Sequence, residues 1–225
     1  IKKGKEVLCV LEESLSLEQN CSLEKNLSEE FIVLDIETTG LSKHHDKITE
    51  LAAVKVRNGE VVDTFQSLVN PERNIPRFIT RLTGINNEMV KDSPTVDKVL
   101  PYFMDFLGSS MIIAHNATFD HGFISHNVEK HLQQELCNEK VCTRKLSTRL
   151  LSHLPSKKLS SLCEYFNIVN DNAHRALDDT KATTELFLIL KNILHDNNIT
   201  NLEDVQKFES WTTAKCRRML NFVEK

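Results

Sequence analysis

The sequence lacks the cysteine pattern of a disulfide-bonded or zinc-binding protein. Its six cysteines lie at positions 9, 21, 137, 142, 163 and 216, and no two of them form a Cys-x-x-Cys pair. Such scattered spacing, in a chain without a recognisable export signal, is typical of reduced thiols in a reducing compartment. We therefore expect buried, unreactive cysteines and a cytoplasmic protein.

Long apolar segments and an excess of basic residues are also missing. No run approaches the ~20 apolar residues that cross a bilayer, so a membrane protein is not expected. The formal net charge is −4, whereas a protein that holds nucleic acid through lysine and arginine alone usually has a basic surface. If the substrate is a nucleic acid, bound divalent cations must neutralise its phosphates at the site.

The composition is that of a globular chain. Of its 225 residues, 40% are hydrophobic and 27% are charged, which suffices for a sizeable core. We divide the chain into a leader or linker over residues 1–29, a main domain over residues 30–195, and a C-terminal tail over residues 196–225. We interpret the tail as a candidate helical segment, and its apolar stripe is expected to dock on the domain. Because residue 1 is Ile rather than Met, the chain reads as processed, truncated or cut from a longer protein.

Hydrophobic patterns predict a sheet covered by helices. Three strands are predicted first, over Phe31–Ile36, Ile48–Val56 and Val61–Val69, with a hairpin at Asn58-Gly59. Two short strands, Met111–Ala114 and Lys140–Thr143, then alternate with helices over Pro94–Leu107, Thr118–Leu132, a stretch ending at Leu151, Leu159–Phe166 and Ala176–Leu194. Ser93 is expected to cap the first of these helices, with Pro94 at its first position. This order predicts an α/β fold with a mixed central sheet flanked by helices.

A pair of acids ends the first strand, in the segment Asp35-Ile36-Glu37-Thr38-Thr39-Gly40. Strand alternation places Asp35 and Glu37 on the same face of the sheet. Two neighbouring carboxylates repel each other unless a cation lies between them, and oxygen ligands of this kind suit Mg²⁺ or Mn²⁺. A solvated strand end with two chance acids is the alternative, and this segment alone does not decide between them.

A second acid follows the Met111–Ala114 strand, in the segment His115-Asn116-Ala117-Thr118-Phe119-Asp120. Ligands gather at the carboxyl ends of strands in open α/β sheets, so Asp120 can face the first pair. Acids are also common in a first helical turn simply because they complement the helix dipole. On its own, this segment favours the second explanation slightly.

The third group, His174-Arg175-Ala176-Leu177-Asp178-Asp179, opens the long C-terminal helix. A histidine and an aspartate there can supply a general base and a metal ligand. A solvated helix entrance with acids in its first turn is the alternative, and this segment alone favours it. Regular helical spacing aligns His174 with Asp178, whereas Asp179 converges with it only if His174 lies in the turn before the helix. The residue pattern leaves both aspartates open.

Taken together and in this order, the three segments resemble the DEDDh 3′→5′ exonucleases, the family of the bacterial DNA polymerase III epsilon subunit. Asp35, Glu37 and Gly40 resemble the first family motif, and His115-Asn116-Ala117 with Phe119-Asp120 resembles the second. The third family motif has an aspartate five residues after its histidine, which selects Asp179. The similarity covers about residues 30–195, whereas the two terminal segments match nothing in the family.

The resemblance implies a ribonuclease H-like fold and an exonuclease that uses two divalent cations, Mg²⁺ or Mn²⁺. It assigns the metal ligands Asp35, Glu37, Asp120 and Asp179, with Asp35 shared by both ions, and it makes His174 the general base. The terminal nucleotide would be held by Thr38, Leu82, Thr83, Asn116 and Phe119.

The expected function is therefore removal of nucleoside 5′-monophosphates from a single-stranded or frayed 3′ end of DNA, in proofreading beside a DNA polymerase subunit. An RNA 3′ exonuclease of the same family is one alternative, because the same side chains serve both substrates and the sugar preference is not readable from the sequence. A non-catalytic scaffold in a polymerase assembly is another. The complete set of four acids and one histidine argues against the scaffold.

Overall fold

The computed structural model of the chain describes residues 30–220, so the leader or linker expected over residues 1–29 lies outside the described residues. Five strands form one sheet: β1 (Glu30–Thr38), β2 (Ile48–Arg57), β3 (Glu60–Leu68), β4 (Met111–Ala114) and β5 (Lys140–Cys142). The helices are α1 (Arg77–Thr83), α2 (Asn87–Val90), α3 (Val96–Leu107), α4 (Ala117–Leu132), α5 (Thr143–Leu150), α6 (Leu159–Phe166), α7 (Ala176–His195), α8 (Leu202–Ser210) and α9 (Thr213–Leu220).

The sheet is mixed, with the order β3-β2-β1-β4-β5. β1 and β2 pair antiparallel, as do β2 and β3, whereas β4 runs parallel to both β1 and β5. The hairpin between β2 and β3 turns at Asn58 and Gly59, which both have positive φ, at 53° and 83°. An Asn-Gly pair suits that backbone because both residues tolerate the left-handed region. The predicted mixed sheet flanked by helices is confirmed.

Alternate residues of β1 belong to two different hydrophobic clusters. Phe31 and Val33 pack with Phe187 and other residues of α7 on one face of the sheet. Ile32, Leu34 and Ile36 pack with α3 and α4 on the other face. Because β1 is buried on both faces, its apolar run is nearly continuous until the two acids begin.

The C-terminal helices α8 and α9 pack on the face that α7 covers. Val205, Phe208 and Cys216 are buried there, and Trp211 and Met219 pack against the same cluster. The four cysteines of the described residues are free thiols, and of these only Cys137 is exposed. Across residues 30–220, no helix combines the length and the apolar character that crossing a bilayer requires.

Two sequence predictions about the segment before β4 are wrong. The helix predicted from Pro94 begins at Val96, and its N-cap is Thr95 rather than Ser93. The reason is tertiary: the Asn70 amide donates to the Pro94 carbonyl at 2.9 Å, and Asn70 and Thr95 form an isolated parallel bridge. These contacts keep the backbone extended where the local signals favoured helix. The short helices α1 and α2 were not predicted at all.

Candidate active site

The site forms where β1 extends beyond its parallel neighbour β4. The two strands pair from Phe31 with Met111 to Val33 with Ile113, and β4 ends at Ala114. Residues 34–38 of β1 therefore have no parallel strand beside them. Asp35 and Glu37 lie in this segment on the same face of the sheet, as strand alternation predicted.

Asp120 lies beside the part of β1 that extends beyond β4. It lies in the first turn of α4, is 2% exposed, and is close enough to the backbone amide of Ile36 for that amide to lower its pKa. Ile36 stands between the two acids of β1, so Asp120 lies beside both. The short length of β4 is thus what allows the second motif to meet the first.

The third motif reaches the site from the turn before α7. His174 has a φ of 68°, and the helix begins two residues later at Ala176. The backbone amide of His174 donates to Asp179 Oδ2 at 3.1 Å, and Asn170 Nδ2 donates to Asp179 Oδ1 at 2.7 Å. The left-handed turn therefore brings His174 next to Asp179, which is the geometry that the resemblance required and that regular helical spacing does not produce.

One ligand atom from each of Glu37, His174 and Asp179 lies within 4.8 Å of the others. Asp35 and Asp120 lie beside this group, since the charges of both Asp120 and Asp179 act on Asp35. All five residues assigned to metal binding and catalysis thus lie at one end of β1. Among them, Asp120 and Asp179 are buried and His174 is exposed.

Burial disfavours the charged forms of Asp35, Glu37 and Asp120, and neighbouring carboxylates add to this for Asp35 and Glu37. Burial raises the pKa of Glu37 to about 8, and the charges of Asp179, Glu50 and Asp120 add to the shift. Burial likewise raises the pKa of Asp120 to about 7 against the hydrogen bonds from backbone amides. The pKa of Asp35 is raised well above its usual value, first by burial and then by the neighbouring carboxylates.

The donor set fits a divalent cation. Asp120 Oδ2 is buried and has no hydrogen-bond partner among the described residues, and an unpaired buried carboxylate oxygen is costly. A cation at this place would accept that lone pair and remove the repulsion that raises the pKa values. All the acidic ligands are oxygen donors, which suits Mg²⁺ or Mn²⁺ better than a thiolate-bound metal.

A consequence is that metal binding should depend on pH and release protons. Cations bind the deprotonated carboxylates, so the affinity for Mn²⁺ should rise from about pH 6 to about pH 8.5 as Glu37 and Asp120 lose their protons. In the metal-free protein the raised pKa values stabilise the fold at low pH, and this contribution is lost as the pH passes about 7 to 8. Calorimetric titration with Mn²⁺ in two buffers of different ionisation enthalpy measures both affinity and proton release. A flat affinity without proton release would contradict the assignment.

Sequence reasoning missed the pair Glu50 and Arg175. Glu50 lies opposite Glu37 on β2 and is fully buried. Arg175 donates to both of its oxygens, at 3.1 and 2.8 Å, and Ala176 N and Gln66 Nε2 donate at 3.0 and 2.9 Å. Burial alone would raise the pKa of Glu50, but these hydrogen bonds outweigh it and the pKa is lowered. The pair fixes the start of α7 to β2 and so positions His174 and Asp179.

We expect Glu50→Gln to lower the free energy of unfolding by about 1–3 kcal/mol, because Arg175 loses its carboxylate partner in a mostly buried place. The turnover number should fall with it, since the turn carrying His174 loosens. Chemical denaturation and steady-state rates measure the two effects. The matched control is Glu30→Gln, which removes an exposed ion pair with Arg57 and should change little. Equal effects of the two variants would refute the positioning role of Glu50.

A cleft of about 540 Å³ opens beside the acids. Its lining includes Asp35, Leu82, His115, Arg144, His174 and Asp179. His115 is neutral here, because burial lowers its pKa to about 4. Its Nε2 donates to the Lys157 carbonyl at 3.0 Å, and its Nδ1 lies 2.9 Å from the Thr143 hydroxyl. His115 thus holds the loop before α6 against the cleft, and sequence reasoning had assigned it no role.

The five residues expected to hold the terminal nucleotide differ in how far they are exposed to the cleft. Leu82 lines the cleft and is 50% exposed. Thr83 is buried, and its hydroxyl donates to the Ile79 carbonyl and accepts from the Ile85 amide, so the structure does not present it to the cleft. Thr38 donates to the Gly40 carbonyl at 2.6 Å. Phe119 packs against Phe123, and Asn116 is exposed with a φ of 77° and makes no side-chain capping bond.

Close packing against Asp46 explains why residue 40 is glycine. A Cβ atom at this position would lie 2.5 Å from Asp46 Oδ2. That oxygen accepts from the Ser42 amide at 2.9 Å, and the Thr39 amide donates to the Lys47 carbonyl at 2.8 Å. A side chain at position 40 would displace the Asp46 carboxylate, which closes this loop directly after the acids of β1.

Comparison with known proteins gives a family match over most of the chain. The family model RNase_T, described as an exonuclease, matches residues 32–187. The DNA polymerase III PolC-type of Caldanaerobacter subterraneus subsp. tengcongensis is 42% identical over 180 residues, which is 80% of this chain and 13% of that protein. The PolC-type polymerase of Clostridium perfringens is 45% identical over 161 residues, or 72% of this chain and 11% of the relative. The chain therefore spans about an eighth of the length of these relatives.

Among solved structures, exonuclease X in complex with 5′ overhanging duplex DNA is similar to this chain. It superimposes with a TM-score of 0.60 at 27% identity, over 84% of this chain and 99% of that one. The likeness confirms the ribonuclease H-like fold that the sequence resemblance implied.

Proposed function

The chain belongs to the RNase_T exonuclease family, and we propose that it is a metal-dependent 3′→5′ exonuclease that releases nucleoside 5′-monophosphates from DNA ends. The observation that carries the proposal is the meeting of Asp35, Glu37, Asp120, Asp179 and His174 at the open end of β1. These are the side chains that phosphodiester hydrolysis needs, and they lie beside a cleft.

The family resemblance gives each side chain a role that its position allows. Glu37 and Asp179, with Asp35, would hold one cation, and Asp35 with Asp120 would hold a second. When bound, such a pair neutralises the phosphoryl oxygens, acidifies the attacking water and stabilises the leaving 3′ oxygen. As metal ligands, the acids would not act as proton acceptors, which leaves that role to His174.

His174 is the general base. One of its ring nitrogens lies within 4.8 Å of a carboxylate oxygen of Glu37 and of one of Asp179. The side chain is also exposed, so it can take a proton from water at the site and pass it to solvent. Its backbone bond to Asp179 holds the turn, which leaves the imidazole free to act. The negative net charge of the chain is compatible with a nucleic acid substrate, because the cations supply positive charge where the phosphate binds.

The relatives suggest where this activity would be used. They are DNA polymerases of the PolC type, and this chain matches about an eighth of their length. We therefore propose that the domain removes mispaired nucleotides at the primer end beside a polymerase. The RNA exonuclease alternative stays open, because the same acids and histidine would cut both strands.

Release of mononucleotides from a 3′-labelled mismatched primer tests the proposal. We expect release with Mg²⁺ or Mn²⁺ and none with a chelator. Matched DNA and RNA strands in parallel assays decide the sugar preference. A chain that releases nothing under any of these conditions would be a scaffold rather than an enzyme.

A further inference from the structure

The outer face of α1 has features that its place in the fold does not explain. Ile79 and Thr83 form the buried side of the helix, with Ile79 in a small cluster around Ile85. Phe78 and Leu82 point away from it and are 60% and 50% exposed. Neither belongs to any hydrophobic cluster of residues 30–220. The exposed parts of this phenylalanine and this leucine are available for a ligand.

Leu82 connects this exposed pair of side chains to the cleft. Leu82 lines the cleft beside Asp35 and His174. Phe78 precedes it by four residues, which is about one helical turn and a rise of about 6 Å. The apolar stripe therefore extends from the cleft along α1.

A basic stripe lies next to the apolar one. Arg77 and Arg81 are also four residues apart, and both are exposed. Across the described part of the chain, neither guanidinium forms an ion pair or a side-chain hydrogen bond, and α1 has no acid in its first turn. Both arginines line a groove of about 590 Å³, together with Thr80, Asn86 and Asn87. In a chain of net charge −4, two arginines without ion pairs, on the helix that also carries Leu82, mark a local site for anions.

The two stripes match the two faces of a nucleic acid strand. A single strand offers flat bases on one side and phosphates on the other, and proteins bind it with aromatic platforms beside basic grooves. Duplex DNA does not fit this surface, because its bases are stacked inside and cannot reach Phe78.

We propose that the outer face of α1 is a binding site for the single-stranded part of the substrate next to the terminal nucleotide. Phe78 stacks on a base, while Arg77 and Arg81 contact the phosphates. The inference rests on the proposed function and deepens it: it explains why a frayed end, rather than a paired one, would enter the cleft.

Binding of a 5′-fluorescein-labelled oligothymidylate, with Ca²⁺ in place of Mg²⁺, tests this site without cleavage. Phe78→Ala should raise the dissociation constant about tenfold or more, the loss expected from one stacked base, whereas Phe78→Trp should restore the affinity. The matched control is Tyr102→Ala, because Tyr102 is a 72% exposed aromatic residue on α3 that does not line the cleft. The double variant Arg77→Gln with Arg81→Gln should reduce the slope of log affinity against log salt by about 1.4, since each lost contact to a single strand removes ~0.7.

Three results would overturn the site: an affinity of Phe78→Ala within about twofold of the wild type, an equal loss in Tyr102→Ala, or an equal loss of Phe78→Ala for a blunt duplex of the same length. The proposed function fails separately, when the wild-type chain releases no nucleotide with Mg²⁺ or Mn²⁺. The binding comparison can still be read in that case, so the two failures are distinguishable.

Discussion

Replacing Asp35 by asparagine should abolish nucleotide release, with the rate falling by at least about 10³-fold. The charges of Asp120, Glu37 and Asp179 all act on Asp35, and we propose it as the ligand that the two cations share. Each ~1.4 kcal/mol of lost charge stabilisation costs a factor of ten, and a metal site supplies several kcal/mol. Single-turnover rates with saturating Mg²⁺ measure the loss.

The same variant should fold at least as well as the wild type without metal. Burial and the neighbouring carboxylates already raise the pKa of Asp35, so a neutral side chain of the same shape removes repulsion. Thermal unfolding in chelator should show an equal or higher midpoint, and the stabilisation by Mn²⁺ should be lost. Full activity of a folded Asp35→Asn protein would refute the assignment of the metal site.

Replacing His174 by alanine should lower the turnover number by about 10²–10⁴, the usual contribution of a general base. The loss should appear in the chemical step with little change in Mn²⁺ affinity, because the acids remain in place. Quenched-flow measurement of the first turnover separates chemistry from product release.

His45→Ala is the control for His174→Ala, since His45 is also an exposed loop histidine but lies in the segment between β1 and β2. It should leave turnover unchanged. If His174→Ala retained the wild-type rate while chemistry was shown to be rate-limiting, His174 would have no part in proton transfer.

The sequence alone predicted the features that depend on residues close together along the chain. Alternation along a buried strand places Asp35 and Glu37 on one face, and the Asn58-Gly59 turn specifies the hairpin that follows. Which aspartate lies next to His174, Asp179 or Asp178, could not be predicted from helical spacing. It depends on the left-handed backbone of His174, which non-glycine residues rarely adopt and which helical spacing cannot predict.

What the sequence could not show depends on contacts between distant segments. Glu50 and Arg175 are 125 residues apart, and neither has a neighbour in the sequence that marks it as buried and paired. Thr95 caps α3 because Asn70 holds the preceding backbone extended. The helix α1 is only seven residues long, yet its flanking Pro76 and Gly84 are start and stop signals that the sequence does contain.

Crystals of the wild-type chain soaked in Mn²⁺ test the central claim most directly, by anomalous scattering at the manganese edge. We expect two peaks at the open end of β1, one among Asp35, Glu37 and Asp179 and the other between Asp35 and Asp120. No anomalous density there, with the four carboxylates turned away from one another, would contradict the account.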